Sequence, residues 1–282
     1  MPGPRPIDPA ERAHLLDRAG FTPPIQRFAP DPALADVVRR YWMPVWSLPP
    51  GQVSVQRVLQ YPVLQIVVAD DCAELVGPAT GLSTQDIEGT GWALGTMLQP
   101  AAGLVLAGGS VDRLTDRVVP LSEAAGLDGV ELGRRVCAAV ADEPGDLARQ
   151  AAAVAVVEEA LTALLPVDDE GRLVNAIVEY VEGDAGVQRV GQVCDKFAIT
   201  ERTLQRLTAR RIGLSPKWLI QRRRLHEAAE RLGDERPDLA RVAADLGYAD
   251  QAHFGRDFRA VTGLSPGEFA AEPRPTNERS TS

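Results

Sequence analysis

Residues 239–269 read LARVAADLGYADQAHFGRDFRAVTGLSPGEF, and residues 190–219, VGQVCDKFAITERTLQRLTARRIGLSPKWL, fall into register beneath them as a second copy of one unit. Val193, Cys194, Phe197 and Ile199 correspond to Val242, Ala243, Leu246 and Tyr248 at an offset of 49. After one extra residue in the turn, Leu204, Arg206, Gly213, Leu214, Ser215 and Pro216 correspond to Phe254, Arg256, Gly263, Leu264, Ser265 and Pro266 at an offset of 50. Each copy opens with apolar residues at i, i+3, i+4 and i+7, the face of a short amphipathic helix. These are Val190, Val193, Cys194 and Phe197 in one copy and Leu239, Val242, Ala243 and Leu246 in the other. A small residue follows (Ala198 or Gly247), then an apolar one (Ile199 or Tyr248), then a side chain able to cap a second helix, Thr200 or Asp250. That order is the build of a helix-turn-helix, in which the small residue is expected to let the two helices approach closely.

On the first capped helix Leu204 and Leu207 face inward, leaving Arg202, Gln205 and Arg206 outward. Arginine can bridge O6 and N7 of guanine and glutamine N6 and N7 of adenine, so this triplet suits the reading of a major groove. On the later helix Phe254 and Phe258 face inward, while Gln251, Ala252, Gly255 and Arg256 project. An exposed helical glycine costs about 1 kcal/mol relative to alanine, which is tolerable where a DNA strand must come close. Between the copies, residues 216–232 form a helix with Ser215 as cap, Pro216 at its first position and Gly233 as stop. Its buried stripe is expected to be Trp218, Leu225, Ala228, Ala229 and Leu232. Such a helix spans roughly 25 Å, enough to hold two reading units about one turn of DNA, some 34 Å, apart. Arg222 and Arg223 near its middle are expected to contact phosphates, whereas for Arg224 an internal ion pair is an equal alternative.

Net charge is −9 over 282 residues, an unpromising balance for a partner of nucleic acid until it is divided along the chain. Residues 1–167 hold 12 basic and 20 acidic residues, a net of −8, and residues 168–282 hold 18 and 19, a net of −1. Within the second part, residues 189–224 carry ten basic side chains against Asp195 and Glu201, a net of +8, which can meet a polyanion even when the whole molecule repels one. The acidic run Asp168, Asp169, Glu170 with Gly171 reads as the boundary between the parts.

Residues 53–119 have another texture: short apolar or alternating runs separated by Gly, Pro, Asp and Ser, as in a small barrel or sandwich. Residues 9–20 and 32–42 read as short flanking helices, the second with Leu34, Val37, Val38 and Tyr41 on one face, and residues 145–165 as a long alanine-rich helix. Trp42, Trp46, Tyr61 and Trp92 could wall a pocket for a flat or apolar molecule, or fill the core. No cofactor or metal is expected, because Cys72, Cys137 and Cys194 are widely spaced and the three histidines are far apart. Enzymatic readings fail as well: Gly108-Gly109-Ser110 has no nearby histidine base, and Gly89-Thr90-Gly91-Trp92 has no phosphate-binding lysine. The opening MPGPRPIDPAER lacks a signal-peptide apolar segment and no run is long enough to span a bilayer, so a cytoplasmic protein without membrane contact is expected.

Over about residues 172–269 the chain resembles the AraC/XylS family of bacterial transcription regulators. The resemblance rests on Arg202, Leu204 and Arg206, on Gly213 to Pro216, on Arg224-Leu225, and on a long signature. That signature comprises Val242-Ala243, Gly247-Tyr248, Asp250 to Phe254, Arg256, Phe258 and Gly263 to Pro266. It implies a seven-helix domain whose two reading helices enter successive major grooves, with Arg202, Gln205, Arg206, Gln251 and Arg256 reading bases and Thr200 and His253 touching the DNA backbone. Thr208 departs from the family, which usually has an aromatic there, and so implies a looser first unit; Ala252 replaces a polar residue. The first half is similar to a subgroup with a small β-barrel, cupin-like sensing domain, through Tyr41-Trp42, Trp46-Ser47-Leu48-Pro49, Val76-Gly77-Pro78 and Gly89-Thr90-Gly91-Trp92.

The expected fold is therefore α+β and multidomain: an N-terminal β-barrel-like domain with flanking helices, then an all-α domain of two helix-turn-helix units joined by a long helix. Residues 1–120 are expected to sense or oligomerise, 121–167 to connect, 168–272 to bind DNA, and 273–282 to form a disordered tail. The expected function is sequence-specific transcription regulation through double-stranded promoter DNA, modulated by a small organic effector or by homodimerisation, with RNA polymerase as a further partner. A ligand-sequestering protein whose helical half survives as a scaffold is the alternative.

Overall fold

The alternating runs of the first half do form strands. The computed structural model describes residues 14–15, 21–58, 61–233 and 237–271. Its strands are β1 (His14–Leu15), β2 (Ile25–Phe28), β3 (Val38–Ser47), β4 (Val53–Val58), β5 (Gln65–Ala69), β6 (Ala73–Val76), β7 (Ser83–Glu88) and β8 (Thr90–Leu98). Helix α1 (Pro100–Leu106), strand β9 (Val118–Pro120) and helices α2 (Gly129–Val140) and α3 (Leu147–Leu161) follow. The barrel-like expectation takes the form of two antiparallel sheets, ordered β1-β4-β7 and β2-β3-β8-β5-β6-β9. Gly89 alone separates β7 from β8, at a φ of 56° that favours glycine. The chain pairs with β4 before this bend, Val53 opposite Glu88, and with β3 after it, Ser47 opposite Thr90.

The six-stranded sheet supplies Tyr41, Met43, Ile66, Val68, Leu75, Leu94 and Leu98 to a core completed by Leu106, Leu132, Val136, Val140, Ala153, Val157 and Leu161. Residues 121–167, expected to connect, thus bury their helices α2 and α3 in the core of the sheet. The helix expected over residues 32–42 is instead a single 3-10 turn, Pro32–Leu34, capped by Asp31, followed by β3. Leu34, Val37, Val38 and Tyr41 do carry helical spacing, but the β-branched and aromatic residues from Val38 to Trp46 find partner strands on both sides, and that pairing prevails. The helix expected over residues 9–20 falls outside the described residues except His14 and Leu15, which are extended opposite Val58 and Arg57. The tail expected over residues 273–282 also lies outside them.

The helical half comprises α4 (Asp169–Gly183), α5 (Val190–Phe197), α6 (Glu201–Ile212), α7 (Pro216–Arg231), α8 (Leu239–Asp245), α9 (Gln251–Thr262) and α10 (Pro266–Ala271). These helices enclose two cores. One gathers Val174, Ile177, Val181, Val193, Leu204 and Leu207 with Leu219 and Ile220 of α7. The other gathers Val242, Ala243, Leu246, Phe254, Phe258 and Phe269 with Leu225, Ala228 and Leu232. Each fully buried leucine contributes about 1.5–3 kcal/mol, so α7 is fixed in both units by its own side chains.

The two halves meet along α1, which lies against α4 and α6. The Ala101 amide donates to Asn175 Oδ1 at 2.9 Å, and Asn175 Nδ2 donates to the Asp36 carbonyl at 2.9 Å. Thr115 Oγ1 donates to the Gly213 carbonyl at 2.8 Å, and Arg39 pairs with Glu182 at 2.7 Å. A β-carbon on Gly103 would sit 2.8 Å from the Arg211 carbonyl oxygen, so α1 rests on the backbone at the end of α6. Leu82, before β7, packs on the second helical core. Among the described residues no helix is long and apolar enough to cross a membrane.

Candidate nucleic-acid interface

The repeat survives as geometry. Helices α6 and α9 are both 12 residues long and both end on a left-handed glycine, Gly213 at φ 80° and Gly263 at φ 76°. Each is followed by a serine whose hydroxyl caps the next helix: Ser215 accepts from the Trp218 amide and Ser265 from the Glu268 amide, both at 3.2 Å. Thr200 Oγ1 accepts from the Thr203 amide at 3.1 Å and Asp250 Oδ1 from the His253 amide at 2.7 Å, so both expected N-caps are made. The small residues of the turns have a different reason from the one expected. Ala198 (φ 51°) and Gly247 (φ 74°) adopt the left-handed conformation that lets the chain leave one helix and enter the next. At Gly247 a β-carbon would also meet the Gln188 side chain at 2.6 Å.

Leu204, Leu207, Phe254 and Phe258 are buried, and Arg202, Gln205, Arg206, Gln251, His253 and Arg256 are exposed. Among the described residues no hydrogen bond or ion pair holds the side chains of Arg202, Gln251 or Arg256. Gln205 Nε2 donates to Glu201 Oε1 at 3.0 Å. The His253 ring meets Tyr248 edge-on, centroids 5.4 Å apart, with Asp257 Oδ2 3.7 Å from its Nε2. Thr208, the family departure, is fully buried and its hydroxyl donates to the Gln205 carbonyl at 3.2 Å, so the first unit closes around a polar group that α6 itself satisfies.

The pair expected on phosphates is placed otherwise. Arg222 is 3% exposed, its guanidinium 5.6 Å from the Trp218 ring centroid, and burial pushes it down to about 9. Arg223 donates to Glu227 Oε2 and to the Val187 carbonyl, both at 3.0 Å, with little of its side chain in solvent. Arg223 ties α7 to the segment before α5, Arg222 is buried within the helical half, and neither guanidinium is presented on the surface to a phosphate. Periodicity missed this because Arg222 follows Leu219 by three, on the stripe that meets α4. Arg224 donates to the Gln188 carbonyl at 3.3 Å and lies over the Tyr248 ring, an internal role that among the described residues involves no ion pair.

Sequence reasoning passed over Asp168 and Glu170. The run taken as a boundary is the start of α4: Asp168 Oδ1 accepts from the Gly171 amide at 2.7 Å, a cap legible as Asp ahead of an acidic first turn, Asp169 and Glu170. Asp168 also pairs with Arg211, whose side chain is 2% exposed. Burial pushes the Asp168 carboxyl up, but hydrogen bonds from Arg211 and Gly171 and the charges of Arg211 and Arg210 outweigh it and hold the group below its ordinary range. Glu170 accepts from Arg206 at 3.2 Å, Arg210 at 3.3 Å and Arg211 at 3.4 Å.

The aromatic pocket is not assembled. Trp42 lies opposite Gly95 and Trp46 opposite Gly91, on one face of the sheet, while Trp92 lies opposite Val45 on the other face, in the core. Both half-buried rings, Trp42 and Trp46, occupy the space of the missing β-carbons and are tied down, Trp42 Nε1 donating to Gln65 Oε1 and Trp46 Nε1 to the Glu88 carbonyl, each at 3.2 Å. Tyr61 is apart from all three, at the seam between the halves, beneath the Arg39 guanidinium. There it lines a cavity of about 250 Å³ with Pro62, Val178, Val181, Leu219, Arg222 and His226.

Two helix-turn-helix units thus stand on one shared helix, each exposing arginine and glutamine at its second helix. Residues 193–272 match the helix-turn-helix domain family, and residues 26–120 match a domain of unknown function (DUF6597). The HTH-type transcriptional activator RhaS of Escherichia fergusonii is 36% identical over 77 residues, 27% of this chain and 28% of that protein. An uncharacterised HTH-type transcriptional regulator of Haemophilus influenzae is 24% identical over 98 residues, 35% of this chain and 33% of that protein. The matched segment therefore spans between a quarter and a third of these relatives. Among solved structures, ToxT of Vibrio cholerae O395 aligns with 82% of this chain and 96% of its own at 11% identity and a TM-score of 0.41. The C-terminal domain of AraT, a response regulator from Geobacillus stearothermophilus, aligns with 39% and 93% at 21% identity and a TM-score of 0.35. Through residues 193–272 the chain is similar to helix-turn-helix transcription regulators.

Proposed function

We propose that the chain is a sequence-specific, DNA-binding transcription regulator in which residues 168–272 read promoter DNA and the preceding β-rich part adjusts that reading. The observation that carries this is the doubled helix-turn-helix with Arg202, Gln251 and Arg256 exposed on its two second helices. Arg202, Gln205, Arg206, Gln251 and Arg256 take the base-reading roles, and Thr200, the cap of α6, and His253, in the first turn of α9, take the contacts to the DNA backbone. The test is selection of duplexes from a random pool by the full chain at 150 mM salt. Enrichment of one sequence bound at least about a thousandfold more tightly than random DNA is expected; binding all duplexes alike defeats the reading.

The finer part of the proposal concerns what adjusts the reading. A small organic effector acting at the cavity beside Tyr61 fits its place, because that cavity is walled by both halves and an occupant changes how they pack. A homodimer through α2 and α3 fits the exposure of Val130 and Leu147 on those helices. Sedimentation of the full chain tests the dimer, and a melting shift that Tyr61→Ala abolishes tests the effector site. RNA polymerase is then the partner on which DNA-bound protein acts.

A further inference from the structure

Glu170 stands where three guanidinium groups of α6 converge. Its Oε1 accepts from Arg206 at 3.2 Å and its Oε2 from Arg210 at 3.3 Å and Arg211 at 3.4 Å. Arg211 is buried and fixed to Asp168, so it belongs to the frame, whereas Arg206 and Arg210 are exposed. A carboxylate offers a guanidinium the same fork of acceptor oxygens as a phosphate and the same paired acceptors as a guanine edge. Any duplex that takes Arg206 must first take it from Glu170. Resting on the DNA-reading function above, we propose that Glu170 is a determinant of DNA affinity that acts by competition, occupying Arg206 and Arg210 in the free chain.

The position of this carboxylate is set by the other half of the molecule. Glu170 lies in the first turn of α4, where a β-carbon on Gly171 would come 3.1 Å from Ala101 Cβ of α1. Helix α1 is itself bound to α4 through Asn175 and rests on the Arg211 carbonyl through Gly103. A displacement of α1 therefore moves the turn bearing Glu170 and the end of α6 bearing its partners. The β-rich half can in this way alter the supply of free guanidinium groups at the reading helix without touching Arg206.

The test uses the full chain and the duplex enriched by the wild-type protein, with affinities measured at 100 mM salt. Glu170→Gln is expected to bind about three- to tenfold more tightly, the scale of releasing two exposed ion pairs. Asp169→Asn removes the same charge one residue away, from a side chain 97% exposed and paired with Arg172 rather than with α6, and is expected to change affinity less than about twofold. With Arg206 and Arg210 both changed to alanine, Glu170→Gln is expected to lose its effect. Competition is overturned if Glu170→Gln is no tighter than wild type, if Asp169→Asn matches it, or if its gain persists without the two arginines. Should Glu170→Gln fail to melt cooperatively, Glu170→Asp, which keeps the charge and shortens the reach, decides instead: tighter binding supports competition and unchanged or weaker binding overturns it. A wild-type chain that enriches no duplex removes the regulator reading and this proposal together, whereas a chain that enriches one and shows no Glu170 effect removes only the latter.

Discussion

Arg222, Arg223 and Arg224 are consecutive, yet their guanidinium groups go to the Trp218 ring, to Glu227 and the Val187 carbonyl, and to the Gln188 carbonyl. On one helix a step of about 100° separates neighbours, so a run of like charge serves several purposes at once. Arg202 and Arg256, in contrast, are exposed, with no side-chain hydrogen bond or ion pair among the described residues. Arg202→Ala and Arg256→Ala are each expected to cost about 1–3 kcal/mol in binding at one base position while leaving other positions unchanged. Competition binding with single-base variants of the enriched duplex measures this. Arg222→Ala is expected to lower the melting temperature and leave base preference intact. Asp168 adds a dependence on pH. Its folded carboxyl titrates below the ordinary 3.8, so its contribution to stability is complete above that value and is lost as pH falls through the lower, folded one. Urea midpoints followed downward from pH 6 are expected to fall less steeply near pH 3 for Asp168→Asn than for wild type.

Among the elements, the turns of the two units make the sharpest comparison. Ala198 carries a β-carbon at φ 51°, where an L residue is strained by roughly 1–2 kcal/mol, while Gly247 occupies the same conformation without strain. Ala198→Gly is expected to stabilise the helical half by about 0.5–1 kcal/mol, and Gly247→Ala to destabilise it by about 1–2 kcal/mol, since a φ of 74° strains any residue with a β-carbon while the Gln188 side chain can swing aside. Urea denaturation of each variant reads both. These elements were legible because a helix-turn-helix is written locally: Thr200, Asp250, Ser215 and the pairs Leu204/Leu207 and Phe254/Phe258 each act within a few residues. The aromatic pocket was not legible, because whether Trp92 shares a face with Trp42 depends on the register of β3 against β8, and a shift of one residue exchanges the faces. Residues 32–42 were misread for a related reason, since partner strands distant in sequence decided their conformation. Glu170 stayed hidden because its partners lie 36 to 41 residues away, across a helix contact that no periodicity describes.

In the whole molecule, α1 is the piece through which the β-rich half reaches the helices. Gly103→Val places side-chain atoms against the Arg211 carbonyl and is expected to unseat α1 at a cost of about 1–3 kcal/mol, exposing the chain near residue 166 to protease earlier than in the wild type. Limited proteolysis checks this. Helix α7 has the opposite character, since Leu219 and Ile220 are locked in one core and Leu225, Ala228 and Leu232 in the next. Two binding heads on a slack tether could follow their half-sites round a duplex as the spacing between them changed. Heads soldered to one axle cannot, so five base pairs inserted between the half-sites, about half a helical turn, should abolish binding, and ten inserted pairs, though restoring the phase, should not bring it back.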